Sequence, residues 1–260
     1  MSFDLAPGVH HLNHGSFGAV TRDVRAAQRE WQDRMERDPM RFFTEDVLPG
    51  VDRARARLAE VLGADPEDLV LVRNATEGVS AVLRSLRFEP DDEIVVNDHE
   101  YGACVKACLH TGARVITARI PLPLDGPEVV VERVLAALSP RTRLVLVSHV
   151  TSPTGLVFPL ETLLEALGSR GVPCLVDGAH APGMLPLDLG ALARRGLDYY
   201  TANLHKWMCA PKGAAFLWAR RERQDGLGPP SISHGHGGGW PGRSSFHARF
   251  DWTGTWDPTP

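Results

Sequence analysis

The chain has 260 residues, of which 43% are apolar and 23% charged, and its 28 basic against 32 acidic side chains leave a net charge of −4. That is enough for one large domain or two small ones with a self-sufficient core, and the slight acidity without a long basic run argues against nucleic acid as the main partner. No apolar stretch is long enough to span a membrane, and the first eight residues lack a secretion pattern; four scattered cysteines suit a reducing compartment, so a cytoplasmic location is expected.

In chain order, 21–38 reads as a charged helix with Val24, Gln28 and Trp31 on one side, and 50–62 as a second helix stopped by Gly63. Strand-like runs then alternate with helical stripes. Residues 68–72, 93–97, 114–120, 144–148 and 173–177 are short and nearly all apolar, as strands covered on both faces are. Val79, Val82, Leu83 and Leu86 recur at i, i+3, i+4, i+7; so do Val131, Val134, Leu135 and Leu138, and Leu160, Leu163, Leu164 and Leu167. This alternation predicts an α/β domain with a largely parallel central sheet. A short run at 198–201 follows. After Trp218 the pattern breaks down, 226–242 reads as a long Gly/Pro/Ser/His loop, and the sequence stops without a closing helix.

Only three of the basic residues are lysines: Lys106, Lys206 and Lys212. In so arginine-rich a chain, a lysine is expected where an amine that can lose its proton is needed. Ligands of parallel α/β sheets sit beyond the carboxyl ends of the strands, and three segments fall there. Asn74-Ala75-Thr76-Glu77-Gly78 opens a helix and reads as a phosphate site or as a plain N-cap by Thr76. Val176-Asp177-Gly178-Ala179-His180 puts an acid at a buried strand tip, where it caps a helix or holds a protonated heterocyclic nitrogen. Asn203-Leu204-His205-Lys206-Trp207 sets a lysine among bulky neighbours, either as a solvated loop residue or as a desolvated amine with a lowered pKa. Together they are the parts that pyridoxal phosphate requires. No P-loop is present, and His234-Gly235-His236-Gly237-Gly238-Gly239 completes no dinucleotide fingerprint; two histidines in a glycine loop are a weak zinc site, so no metal is expected.

These residues carry a resemblance. Leu12-Asn13-His14-Gly15-Ser16-Phe17-Gly18, Arg73-Asn74-Ala75-Thr76-Glu77-Gly78, Asp98-His99-Glu100-Tyr101-Gly102-Ala103, Ser148-His149-Val150-Thr151-Ser152-Pro153-Thr154-Gly155, Val176-Asp177-Gly178-Ala179-His180 and Ala202-Asn203-Leu204-His205-Lys206 are similar to the class V aminotransferases, pyridoxal-phosphate enzymes of fold type I, and among them to the isopenicillin N epimerase-like branch. The resemblance implies a three-layer transferase fold, with residues 1–20 as an arm near the active site, 21–260 as the large cofactor-binding domain and the small C-terminal domain missing. It implies a Schiff-base and proton-transfer role for Lys206, pairing of Asp177 with the pyridine nitrogen, and a bond from His180 to the cofactor's phenolic oxygen. Ala75, Thr76, Asn203 and His205 then fall at phosphate-holding positions and Thr151 or Ser152 at the ring's polar edge.

Tyr101, rather than His99, is expected to stack on the ring, and either could serve the second face of the substrate. Asn13, His14 and Gly15 are expected at the substrate. Thr255, in Arg249-Phe250-Asp251-Trp252-Thr253-Gly254-Thr255, is expected to reach the phosphate of a neighbouring subunit in a homodimer. The activity implied is reaction at the α-carbon of an amino acid, epimerisation first, with carbon–sulfur cleavage or a truncated chain without turnover as alternatives.

Overall fold

A computed structural model describes residues 2–237, 240 and 242–260. Gly238 and Gly239 of the glycine run lie outside the described residues. The elements are α1 (Arg22–Arg37), α2 (Pro39–Arg41) running through a π turn into α3 (Val47–Leu62), β1 (Leu69–Val72), α4 (Ala75–Ser85), β2 (Glu93–Asn97), α5 (Gly102–Leu109), β3 (Arg114–Ala118), α6 (Pro127–Ala136), β4 (Thr142–Ser148), α7 (Leu160–Gly168), β5 (Cys174–Asp177), α8 (Leu189–Arg194), β6 (Tyr199–Asn203), β7 (Ala215–Ala219) and α9 (Ser245–Asp251). The strands form one sheet in the order β1-β7-β6-β5-β4-β2-β3. Among the described residues, β7 alone runs antiparallel to the other six strands.

Side chains alternate across this sheet and make two cores. Val145, Val147, Cys174 and Val176 face α3, α6, α7 and α8, whereas Leu144, Leu146 and Leu175 face α4, α5 and α9. Helices therefore cover both faces: the largely parallel α/β sheet is as the alternation predicts, and the three layers are as the family resemblance implies. Helix α3 ends where expected, because Gly63 takes φ +60°, a left-handed cap that glycine adopts without steric cost.

Four elements differ from the sequence reading. Strand β7 and helices α5 and α8 are not signalled by any apolar stripe, and α9 follows the long loop where no closing helix is expected. Helix α9 forms because Ser244 Oγ accepts from the His247 amide at 3.1 Å and because Phe246 and Phe250 are buried against β1.

Candidate active site

The carboxyl ends of β4, β5 and β6 lie side by side: Ser148 is in register with Asp177, and Asp177 with Thr201. All four residues of β5 are buried, so the Asp177 carboxylate is carried into the interior by the apolar strand before it. It caps no helix. Its Oδ1 accepts from the Ala179 amide at 2.9 Å, and its Oδ2 from the Cys104 thiol at 3.2 Å. Burial raises its pKa, while these two donors and the nearby Lys206 oppose that rise.

Lys206 sits in the turn from β6 to β7. The Leu204 and His205 amides both donate to Ala214 O, at 3.0 and 3.2 Å, and Cys209 takes φ +58° to complete the turn. Lys106 and Lys212 are exposed, whereas Lys206 is half-buried. Burial lowers its pKa, and the attraction of Asp177 opposes this. Its Nζ lies 3.1 Å from His180 Nε2, and the Trp207 indole N–H donates to His180 Nδ1 at 3.3 Å. An indole N–H can only donate, so His180 Nδ1 accepts. Burial takes the His180 pKa down to about 4, so near neutrality the ring is uncharged and its one proton is on Nε2. That proton points at Lys206 Nζ, which accepts it only as the free amine. Hydrogen-bond polarity and desolvation therefore act in the same direction, towards a nucleophilic lysine.

At the start of α4 the N-cap is Asn74, whose Oδ1 accepts from the Glu77 amide at 2.8 Å. Thr76 is thus inside the first turn, not its cap. Asn203 Oδ1 accepts from the Ala75 amide at 2.8 Å, which ties the tip of β6 to this helix. The Thr76 amide and hydroxyl have no protein partner among the described residues. Gly78 allows the close approach: a Cβ there would lie 2.1 Å from Thr201 Oγ1. His205 Nδ1 is bound to Ala214 O at 3.1 Å.

The other expected residues are placed as follows. Tyr101 is 46% exposed and its side chain is free of hydrogen bonds among the described residues. His99 is buried with both ring nitrogens engaged, Nε2 on Ile120 O at 2.9 Å and Nδ1 on Thr154 Oγ1 at 3.0 Å. Thr151 is buried, and its Oγ1 accepts from the Leu156 amide at 2.8 Å, closing a turn. The arm lies over the lysine turn. A Cβ at Gly15 would be 3.0 Å from His180 Nδ1, and one at Gly18 would be 2.1 Å from His205 O. The His14 ring packs near Trp207, with centroids 6.0 Å apart, and Asn13 bonds to Ser16.

Thr255 lies elsewhere, on a cavity of about 530 Å³ shared with Arg73, Glu77, Leu204 and Lys212. His234 and His236 are exposed, and among the described residues no cluster of metal-binding side chains occurs. Glu100, a buried acid facing Asp177, carries no role in the sequence reading. Its position inside the Asp98–Tyr101 motif was the available signal.

The family profile described as Aminotransferase class-V matches residues 20–239. The chain is 42% identical over 241 residues to an isopenicillin N epimerase of Amycolatopsis lactamdurans, covering 89% of this chain and 59% of that one. It is 32% identical over 273 residues to a probable chloroplastic L-cysteine desulfhydrase of Arabidopsis thaliana, covering 96% and 56%. It thus spans somewhat over half the length of these relatives. Among solved structures, the cystine C–S lyase C-DES in complex with its product cysteine persulfide superposes with a TM-score of 0.81 at 26% identity, over 96% of this chain and 68% of that one. A C-DES mutant with glycine covalently linked to its PLP cofactor gives 0.82 at 25% identity, over 97% and 68%.

Proposed function

The chain belongs to the aminotransferase class-V family, and from that premise we propose that it binds pyridoxal phosphate through Lys206 and acts at the α-carbon of an amino-acid substrate as an epimerase. The observation that carries this reading is the Trp207–His180–Lys206 relay, which aims a neutral imidazole at the Lys206 amine beside a buried carboxyl group. The residues fit the cofactor: Lys206 offers the amine for its aldehyde, each oxygen of Asp177 has a single protein donor, and the Thr76 amide and hydroxyl stand at a helix N-terminus suited to phosphate.

When bound, pyridoxal phosphate supplies an electron sink for negative charge at the substrate α-carbon. Asp177 would pair with the ring nitrogen, and a positive charge there would oppose the effect of burial on the Asp177 carboxyl group. Lys206 Nζ moves the α-proton on one face, and the Tyr101 hydroxyl serves the other. Ala75, Asn203 and His205 shape the phosphate end, His180 meets the cofactor oxygen, Thr151 lines the ring's polar edge, and His99, with both nitrogens engaged, backs Tyr101. Residues 1–20 form an arm that brings Asn13, His14 and Gly15 to the substrate, and 21–260 form the cofactor-binding domain. Leu12 and Phe17 on that arm are 84% and 81% exposed, which supports a homodimer in which Thr255 reaches the partner's phosphate; the chain works in the cytoplasm.

A second reading is carbon–sulfur cleavage, favoured by the desulfhydrase likeness. All four cysteines are buried, with burial pushing each thiol pKa up. Sulfur transfer to a cysteine of this chain is therefore disfavoured, and elimination is the form this reading takes.

Protein mixed with pyridoxal phosphate should gain a visible absorption band that Lys206→Ala lacks, sediment at twice the chain mass, and exchange the substrate α-proton in D₂O while converting isopenicillin N to its epimer. Sulfide release from L-cysteine without epimer formation moves the assignment to the second reading. No band in the wild-type protein overturns both.

A further inference from the structure

Glu100 is 8% exposed and joins three elements. Its Oε1 accepts the Ser148 hydroxyl, from the end of β4, and the Tyr101 amide at 3.0 Å, from the start of α5. Its Oε2 accepts Asn97 Nδ2 at 3.1 Å, from the end of β2. Ser148 is the register neighbour of Asp177, and α5 returns to the same carboxylate through Cys104 Sγ. The titratable groups facing Glu100 are Asp177 and Cys174 on β5 and the thiols of Cys104 and Cys108 on α5. The basic group of this cluster, Lys206, faces Asp177.

We propose that Glu100 is a positioning residue which holds a proton while Asp177 holds the charge, so that the two carboxyl groups act as one monoanion and keep α5, with Tyr101, docked at the site. This rests on the assignment of Lys206 and Asp177 as the cofactor-holding pair. Two neighbouring buried carboxyl groups cannot both ionise cheaply. Asp177 has the lysine, whereas Glu100 has only neutral donors, and burial together with Asp177 lifts its pKa to about 7.

The folded value lies above the unfolded one, so the stability Glu100 contributes is full below its ordinary 4.5 and is lost as pH rises through about 7. Thermal melts of the cofactor-free protein between about pH 5 and 8 should therefore show the wild type losing about 3 °C or more relative to Glu100→Gln, which carries no charge to expose. Parallel melting curves overturn the proposal. Should Glu100→Gln not fold, Ser148→Ala decides: it removes a bond that favours the ionised form of Glu100, so the loss must move to higher pH, and an unmoved loss overturns the proposal.

With pyridoxal phosphate bound, the visible band of Glu100→Gln below about pH 7 should match that of wild type, because a Glu100 that holds its proton adds no charge beside Lys206. A Glu100 ionised throughout would give a variant whose band midpoint lies about one unit lower, a tenfold change, and that shift in a folded, loaded variant overturns the charge-sharing role. Failure of the wild type to take up the cofactor overturns the Lys206 assignment, while the melts still decide Glu100.

Discussion

Trp207 sets the proton position on His180, and His180 sets the state of Lys206. The indole N–H on Nδ1 and the lysine Nζ opposite Nε2 leave one neutral tautomer that satisfies all three groups. Trp207→Phe removes the donor, after which the ring can reverse its tautomer and accept from an ammonium. The expected outcome is a Lys206 pKa about one unit higher, hence roughly tenfold slower uptake of pyridoxal phosphate near neutral pH, recovering as pH rises. Stopped-flow measurement of the band against pH checks this; a rate with unchanged magnitude and pH dependence contradicts it. The scarcity of lysine singled out position 206 and the flanking apolar residues suggested desolvation. The direction of the His180 proton could not be read from sequence, because it depends on two side chains converging across a folded turn.

Helix α4 is held to β6 by contact at Gly78 and by the Asn203 oxygen on the Ala75 amide. Gly78→Ala would drive a methyl group into Thr201, whose hydroxyl already donates to Phe216 O at 2.8 Å. The expected cost is about 1–3 kcal/mol, read as a lower urea midpoint, with weaker retention of pyridoxal phosphate as the N-terminus of α4 moves off the strand. An unchanged midpoint would show that the helix can shift freely. The apolar stripe of α4 was legible and its cap was not: Thr76 and Asn74 are both good capping residues, and only backbone conformation distinguishes them. Helix α5 lacked a signal for another reason. Its buried residues, Cys104 and Cys108, are small, and they face the site as much as the core.

At the scale of the whole molecule, the returning segment after the long loop is fastened by charge. Asp251 is buried and receives Arg55 and Arg243, which both also bind Asp52 on α3, at 2.8 and 2.6 Å respectively. Asp251→Ala leaves two guanidinium groups facing one half-exposed acid, and breaking a buried pair from one side costs about 3–5 kcal/mol. Urea unfolding should report a loss of that order and protease cleavage should appear near α9; stability within about 1 kcal/mol of wild type would mean that the network is already solvated. Arg55 and Asp251 are 196 positions apart in the chain, and Arg243 and Asp52 are 191 apart, so no local pattern announces these two bonds.

Periodicity by itself determined the α/β class with a largely parallel sheet, most of its strands and the positions beyond their carboxyl ends, because burial on two faces writes its period directly into the chain. Residue chemistry likewise marked Asp177, His180 and Lys206. Tertiary structure alone decided the antiparallel β7, the N-cap at Asn74, the tautomer of His180 and the buried partnership of Glu100 with Ser148, Asn97 and Asp177. Each of these depends on dielectric and hydrogen-bond direction at a place where distant segments meet, and those quantities exist only after the chain has packed.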